Sequence, residues 1–287
     1  TRRNAFLIRV GNLEDHLSWL SEVDWVVEAV VEDLKIKQEL FTRLEKFIKP
    51  DCIVSTNTSG LSIKDISANF SSNLKSNFLG THFFNPPRYM RLLEIIPLSE
   101  TRRDVLEYMV KFCEETLGKG VVVCRDVPGF VANRIGNFDM AAAIGLMMEK
   151  GLKIEETDAL IASLGRPGSA VFGTLDIVGL DVAHHVMTNL HKVLPDDEGR
   201  ALFKPPEFIN GMLKRGWLGS KAGQGFYKKT KDEMGRDAKL ALDYRRMEYE
   251  PPVVPDYASL SRAKEAKDDI AGKIRIIFEG TDGAAQF

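Results

Sequence analysis

The sequence predicts an α/β domain built on a parallel sheet, followed by a region made of helices. Between Asp24 and Asp126, short apolar runs alternate with longer segments whose apolar residues recur at helical spacing. The short runs are almost continuously apolar, which is typical of strands covered on both faces. After Asp126 the apolar residues recur every three or four positions, and this spacing predicts helices.

The individual elements follow from the same two periods. The expected strands cover residues 5–10, 25–29, 52–56, 78–83, 92–96 and 121–124. The expected helices cover residues 13–20, 33–48 and 101–118 in the first region, and residues 130–150, 154–164 and 174–193 in the second.

Proline and glycine residues mark the expected boundaries. A Pro-Gly pair at 128–129 interrupts the chain, so we expect a first domain over residues 1–126 and a helical domain over residues 127–230. The proline-rich stretch 251–255 has few apolar neighbours and indicates a linker. We therefore expect residues 231–287 to hold a linker and the start of a further helical region.

Composition excludes several classes of partner. The 287 residues carry a formal net charge of −2, so the chain lacks the positive excess needed to bind nucleic acid or an anionic membrane. Cys52, Cys113 and Cys124 lack the paired spacing of a disulfide framework or a zinc site, which predicts reduced thiols and no bound metal. The sequence contains neither a membrane-spanning apolar run nor a signal peptide, so we expect a soluble, cytoplasmic protein.

A histidine and a glutamate in neighbouring strands are the strongest candidates for catalysis. His82 comes near the end of one apolar strand, and Glu94 lies inside the next one, L-L-E-I-I. A histidine beside aromatic residues is more often a core residue, but a carboxylate in an apolar strand is costly to bury without a partner. If strand, Pro-Pro turn and strand bring the two together, the carboxylate fixes one imidazole tautomer and stabilises the protonated ring. Such a pair is a general base poised to act near neutral pH.

A second candidate follows the expected strand 52–56. Asn57, Thr58, Ser59 and Gly60 come directly after it, at the carboxyl edge of the sheet, where parallel sheets bind ligands. An ordinary turn is the alternative, because Asn, Ser and Gly favour turns. The residues alone leave both interpretations open.

Five ordered blocks give a resemblance to a known family. They are residues 27–37, residues 57–61 (N-T-S-G-L), residues 82–86 (H-F-F-N-P) with Glu94 behind them, residues 126–134 (D-V-P-G-F-V-A-N-R) and residues 221–227 (K-A-G-Q-G-F-Y). From residue 5 to about residue 230 the chain resembles the 3-hydroxyacyl-CoA dehydrogenase family. The resemblance implies an incomplete Rossmann-type, NAD-binding domain over residues 1–126, followed by the helical 3-hydroxyacyl-CoA dehydrogenase C-terminal domain, which binds substrate and forms dimers.

The resemblance also implies an activity. This is the oxidation of (S)-3-hydroxyacyl-CoA to 3-oxoacyl-CoA with NAD in fatty-acid β-oxidation, by an L-3-hydroxyacyl-CoA dehydrogenase. His82 would take the proton of the 3-hydroxyl group as hydride leaves C3, and Glu94 would orient the imidazole. Ser59 and Asn133 would hold the substrate around C3, although the residues alone favour a plain helix surface for Asn133.

Three further residues are implied to line the cleft near cofactor and substrate. They are Glu32, Lys37 and Asn85. On the residues alone, Glu32 and Lys37 are equally well explained as solvated helix residues. Asn85 is explained as part of the turn before Pro86.

The family resemblance extends to assembly. It implies an acyl-CoA thioester substrate and a homo-oligomer formed through the helical domain. The dehydrogenase unit of the family also occurs fused to an enoyl-CoA hydratase in multifunctional proteins. The linker and tail of this chain resemble that longer arrangement.

The chain departs from the family pattern at the cofactor fingerprint. A dinucleotide-binding sheet opens with a strand and a G-x-G-x-x-G turn, which holds the pyrophosphate at a helix N-terminus. The sequence given contains no such turn, and residues 223–228 (G-Q-G-F-Y-K) lack its third glycine. We therefore expect the first strand and the turn to be absent from the first domain.

Two other functions remain open on the sequence. The chain is alternatively a non-catalytic scaffold or oligomerisation fragment of a multifunctional enzyme. A third interpretation is a dehydrogenase that acts on a free hydroxy acid, because the residues quoted above do not distinguish a thioester from a carboxylate.

We expect the 287-residue chain to bind NAD weakly or not at all, since the remaining residues do not replace a pyrophosphate site. Titration with NADH, followed by its fluorescence, measures this. Binding with micromolar affinity would show that the glycine-rich turn is dispensable.

Overall fold

The computed structural model describes residues 6–166, 168–266 and 269–286. The chain divides into two compact units, Thr1–Arg134 and Ile135–Phe287. The boundary lies inside the long helix α5, Ala132–Lys150.

The first unit alternates strands and helices, as the sequence predicts. Its strands are β1 (Trp25–Glu28), β2 (Ile53–Thr56), β3 (Phe78–Phe83), β4 (Leu92–Pro97) and β5 (Gly120–Val123). Its helices are α1 (Leu34–Leu44), α2 (Ile63–Ile66), α3 (Ser72–Ser76) and α4 (Arg103–Glu115). The bounds of the five strands, α1 and α4 agree with the predicted elements to within a few residues, whereas α2 and α3 were not predicted.

The five strands form one sheet in the order β1-β2-β3-β4-β5. Strands β1, β2 and β3 are parallel, whereas β4 runs antiparallel to β3 and β5 runs parallel to β4. A wholly parallel sheet was therefore the wrong expectation at this point. Parallel neighbours need a crossover of about a dozen residues or more, and residues 84–91 are too few to provide one.

Apolar side chains cover both faces of this sheet. On one face Val54, Phe78 and Ile96 pack with Phe41 and Phe70, and the three phenylalanine rings contact one another in pairs. On the opposite face a second cluster joins the strands to α4. This two-sided burial explains why the strand sequences are almost continuously apolar.

The predicted strand 5–10 and helix 13–20 are wrong. Residue 5 lies outside the described residues, and residues 6–10 form no strand. In the described sheet β1 pairs with β2 and lies at the edge, so no neighbouring strand forms a ladder with this apolar run. A short 3₁₀ helix, Leu17–Glu22, takes the place of the predicted helix.

The second unit contains most of the expected helices. After α5 come α6 (Ile154–Ser163), α7 (Phe172–Val178), α8 (Leu180–Val193), α9 (Glu207–Lys214), α10 (Ala258–Glu265), α11 (Ile270–Phe278) and α12 (Gly283–Gln286). A single helix over residues 174–193 was wrong, because the chain breaks at Gly179, whose φ of 99° is foreign to a right-handed helix.

The expectation of helices alone after residue 126 is also wrong. Strands β6 (Tyr227–Lys231), β7 (Asp237–Asp243) and β8 (Glu248–Glu250) form an antiparallel sheet. The sequence of β7, D-A-K-L-A-L-D, does alternate with the period of a strand. Residues 251–256 have neither helix nor strand structure, in agreement with the expected linker.

The glycine-rich block 221–227 closes onto α7. The Asp176 carboxylate of α7 accepts hydrogen bonds from the Phe226 and Tyr227 amides at 2.8 and 2.9 Å. A Cβ atom added to Gly225 would lie 2.0 Å from Asp176 Oδ1. The block is therefore structural, and glycine is required where the backbone meets this carboxylate.

Gly225→Ala is expected to lower the free energy of unfolding by about 1–3 kcal/mol, because the added methyl group overlaps Asp176. Gly136→Ala in α5 is the control, since its Cβ would meet nothing within 4 Å. Helix propensity makes that change neutral or stabilising by up to about 1 kcal/mol. Urea unfolding measures both changes, and a Gly225→Ala protein as stable as the parent would contradict the close contact.

Candidate active site

His82 and Glu94 are paired across the hairpin formed by β3 and β4. They are direct partners in the antiparallel register. His82 Nδ1 lies 2.7 Å from Glu94 Oε2, and the side chains are 6% and 0% exposed. The contact that the sequence predicts is therefore present, and it is shielded from water.

The second oxygen of Glu94 is also bound. Glu94 Oε1 accepts hydrogen bonds from the Val131 and Ala132 amides at 2.9 and 2.8 Å. The Cys124 thiol lies 3.7 Å from the same oxygen. Burial by itself raises the pKa of Glu94, but the hydrogen bonds from His82, Ala132 and Val131 outweigh it, so the pKa lies below its ordinary value of 4.5.

The ionisation of Glu94 decides the tautomer of His82. An ionised carboxylate only accepts hydrogen bonds, so the Nδ1 atom beside it carries the hydrogen. In the neutral ring, Nε2 then has the free lone pair. Nε2 is therefore the atom that can take a proton from a substrate.

Ser59 lies on the exposed loop after β2, and Glu32 holds that loop. Glu32 Oε1 accepts hydrogen bonds from the Thr58 hydroxyl at 2.5 Å and from the Ser59 and Gly60 amides at 2.9 and 3.1 Å. Burial raises the pKa of Glu32, but these bonds and the charge of Lys37 bring it below its ordinary value.

Asn133 lies at the start of α5 and reaches the same loop. Its side-chain amide donates to the Ser59 carbonyl oxygen at 3.4 Å. The structure thus brings Ser59, Glu32 and Asn133 together. Asn85 is exposed and follows the end of β3, and no contact joins it to these three residues among the hydrogen bonds described above.

Lys37 is buried and paired with two glutamates. The side chain is 1% exposed, and Nζ lies 2.7 Å from Glu28 Oε1 and 3.4 Å from Glu32 Oε2. Glu28, at the end of β1, also accepts hydrogen bonds from the Thr56 hydroxyl at 2.5 Å and the Val30 amide at 2.6 Å. The interpretation of Lys37 as a solvated helix residue is therefore excluded.

Two family models match the chain in sequence. The one described as "3-hydroxyacyl-CoA dehydrogenase, NAD binding domain" matches residues 2–127. The one described as "3-hydroxyacyl-CoA dehydrogenase, C-terminal domain" matches residues 129–229. The chain belongs to the 3-hydroxyacyl-CoA dehydrogenase family.

The chain matches parts of longer proteins of this family. It is 43% identical over 286 residues to a probable 3-hydroxyacyl-CoA dehydrogenase of Bacillus subtilis, covering 99% of this chain and 35% of the relative. It is 33% identical over 246 residues to a putative fatty acid oxidation complex trifunctional enzyme of Rickettsia prowazekii, covering 85% of this chain and 34% of the relative. The chain thus spans about a third of the length of both proteins.

A solved structure agrees with the fold. The (S)-3-hydroxybutyryl-CoA dehydrogenase PaaH1 of Ralstonia eutropha matches with a TM-score of 0.63 and 27% identity, covering 73% of this chain and 71% of that one. The predicted class, a Rossmann-type domain followed by the helical C-terminal domain of the family, is confirmed.

NAD is the cofactor of this family's first domain. Two features of the residues present are compatible with a bound dinucleotide. Ionised Glu32 and the end of β1 lie at the carboxyl edge of the parallel strands, where such sheets bind nucleotides. Space beside the Ser59 loop is open, because a Cβ added to Gly60 would meet nothing within 4 Å.

Among the described helices, none combines the length and the apolar character needed to cross a membrane.

Sequence reasoning missed several residues of the site. Glu28 stands in the apolar run W-V-V-E-A, so the argument applied to Glu94 would have found it. The donors of residues 124–132 left no such signal, because two of them are backbone amides and their target is distant in sequence.

Glu94→Gln is expected to lower the free energy of unfolding at pH 7 by about 3–5 kcal/mol, the usual cost of breaking a buried charged pair. A lowered folded-state pKa gives stability that is present above the unfolded pKa near 4.5 and is lost as the pH falls through the folded-state pKa. The gap between parent and variant should therefore narrow below pH 4.5. Urea unfolding at neutral and acid pH tests this, and a gap independent of pH would contradict it.

Lys37→Met is expected to cost about 3–5 kcal/mol of unfolding free energy, because it leaves Glu28 buried without its cation. The double variant with Glu28→Gln should recover part of this loss. Lys35→Met is the matched control on the same helix, since the Lys35 side chain is 84% exposed. Strict additivity of the two changes, measured by urea unfolding, would show that Glu28 and Lys37 do not interact.

Proposed function

We propose that this chain supplies the catalytic and substrate-binding residues for the oxidation of (S)-3-hydroxyacyl-CoA to 3-oxoacyl-CoA with NAD in fatty-acid β-oxidation. The observation that carries the proposal is the buried contact between His82 Nδ1 and Glu94 Oε2. The names of the Rickettsia relative and of the Ralstonia structure support the pathway and the (S) configuration.

His82 acts as the general base in this proposal. Its Nε2 atom takes the proton of the 3-hydroxyl group, and NAD, when bound, accepts the hydride from C3. Glu94 holds the tautomer that leaves Nε2 unprotonated and stabilises the imidazolium that forms. Because the Glu94 side chain is 0% exposed, water does not replace it as the partner of His82.

Ser59 and Asn133 position the substrate oxygen at C3. The hydrogen bond between the Asn133 amide and the Ser59 carbonyl ties the two residues together. Glu32 fixes the Ser59 loop through its amides, and Glu32, Lys37 and Asn85 line the cofactor side. Lys37 contributes mainly by holding Glu32 and Glu28 in place, because its own side chain is buried.

The wider assembly follows the same family. We propose residues 1–126 as the NAD-binding domain and residues 127–230 as the substrate and dimerisation domain. Residues 231–287 begin with β7 and β8, and the linker and the further helices follow these strands. The name of the trifunctional relative supports a multifunctional context. We also propose a homo-oligomer and a fusion to an enoyl-CoA hydratase. The three free, buried cysteines suit a reducing compartment such as the cytoplasm.

His82→Gln in the full-length polypeptide is expected to reduce turnover by about 10²–10⁴-fold, because a positioned base contributes a factor of that size. NADH formation from a 3-hydroxyacyl-CoA ester measures it. His185→Gln is the control, since His185 is exposed on α8, and it should leave turnover unchanged.

Two outcomes would favour the alternatives. Unchanged turnover in His82→Gln, with intact assembly, would indicate a scaffold whose activity comes from elsewhere. Equal turnover of free 3-hydroxy acids and their CoA esters would indicate a hydroxy-acid dehydrogenase.

A further inference from the structure

The carboxylate of Glu94 divides its two oxygens between two partners. Oε2 contacts His82, whereas Oε1 accepts from donors in residues 124–132, which follow β5. We call this stretch the clamp segment. Its donors are the amides of Val131 and Ala132 and the thiol of Cys124, so one continuous piece of chain binds the oxygen that the histidine leaves.

The clamp segment is itself fixed to the loop that carries Ser59. Asp126 accepts hydrogen bonds from the Ser62 hydroxyl at 2.9 Å and from the Ile63 and Lys64 amides at 3.0 and 2.9 Å. These three residues start α2, directly beyond the Ser59 loop. The segment therefore connects Glu94 to the substrate side of the site.

A left-handed turn presents the amides to Glu94. Gly129 and Phe130 have φ values of 76° and 47°, and a positive φ is costly for a side chain as large as phenylalanine. The Phe130 ring is buried and its centroid lies 5.7 Å from that of His82. The strained backbone at Phe130 directs the Val131 and Ala132 amides at Glu94, and the Phe130 ring packs against the site.

Donors at one oxygen weaken the attraction that a carboxylate exerts through the other. Each hydrogen bond stabilises the anion and draws charge away from its remaining partner. At a side chain that is 0% exposed, water does not replace a donor that is lost. The number and strength of the donors at Oε1 therefore affect how firmly Oε2 holds a protonated imidazole.

We propose that Cys124 is a positioning residue for the proposed dehydrogenase reaction. With the Val131 and Ala132 amides, its thiol fixes the orientation of Glu94 and limits the stabilisation of the His82 imidazolium. The ring is thereby able to release its proton after each turnover. This role rests on the proposed function, and it adds a side chain that does not touch the substrate.

The charge state of Cys124 agrees with a donor role. Burial, and then the nearby Glu94 charge, raise the pKa of the Cys124 thiol to about 11. The group is therefore a neutral S–H at physiological pH, shared between Glu94 Oε1 and the Val122 carbonyl oxygen. Among the described ionisable groups, His82 from β3 and Cys124 after β5 contact the Glu94 carboxylate on β4.

A graded series at Cys124 tests the proposal without any requirement for activity. In Cys124→Ser the hydroxyl is a stronger donor, so the NMR titration of the His82 ring should have its midpoint about 0.3 pH unit lower than in the parent. Cys124→Ala and Cys124→Val lack a donor and should both move the midpoint about 0.3 pH unit higher. The His82→Gln spectrum identifies the resonance to follow.

Cys113 provides the matched control. It is another buried free thiol, packed against the opposite face of the sheet. Cys113→Ala and Cys113→Val should leave the His82 midpoint unchanged whatever they do to stability. A midpoint that stays constant across the Cys124 series would overturn the proposal, as would opposite shifts in the alanine and valine variants, which would indicate an effect of volume.

Kinetics of the full-length polypeptide give an independent readout. Cys124→Val should change kcat by about twofold and leave KM unaltered, since a shift of 0.3 pH unit corresponds to that factor. A change in KM alone would contradict a role through Glu94. If His82→Gln shows that the proposed function is wrong, the titration series still decides separately whether Cys124 acts on the pair.

Discussion

The negative charge of Glu94, held where water does not reach it, is the constraint on which the first unit depends. A buried carboxylate has to be matched by donors, and here they come from a neighbouring strand, a helix start and a thiol. Each of these elements must be in place before the charge is tolerated. The requirements of folding and those of the proposed proton transfer thus fall on the same side chain.

The proposed cofactor side of the site follows the same rule with the signs reversed. Lys37 brings a positive charge into the interior, and Glu28 and Glu32 neutralise it from β1 and the loop that follows. The other oxygen of Glu32 accepts hydrogen bonds from the amides of the Ser59 loop. The loop that we propose to hold the substrate is therefore positioned by charge compensation around a buried cation.

Much of this arrangement could be predicted from the sequence, for identifiable reasons. Near-continuous apolar runs give the strands, and the rarity of a carboxylate among them singles out Glu94. The family blocks locate Ser59 and Asn133, and the structure brings them into contact. Each of these patterns is recognised from neighbouring residues within one strand or one block.

The errors have physical causes of the opposite kind. The antiparallel β4 depends on the length of the connection before it, and residues 6–10 depend on having a strand beside them, which their own apolarity does not supply. The sheet at residues 227–250 was overlooked because its strands carry many lysines and aspartates, although β7 alternates regularly. The hydrogen bonds from the Val131 and Ala132 amides could not be predicted, because a backbone donor does not depend on the type of side chain.

The antiparallel pairing of β3 and β4 has a consequence for how the site comes into being. Because hairpins close on a timescale of about 1–10 μs, His82 and Glu94 can meet early, before the distant strands of the sheet have found their neighbours. A slip of the ladder by one position would turn one of the two side chains to the opposite face. His82 and Glu94 therefore need only the local pairing of β3 with β4 to come together, and the register of this one ladder decides whether they face each other.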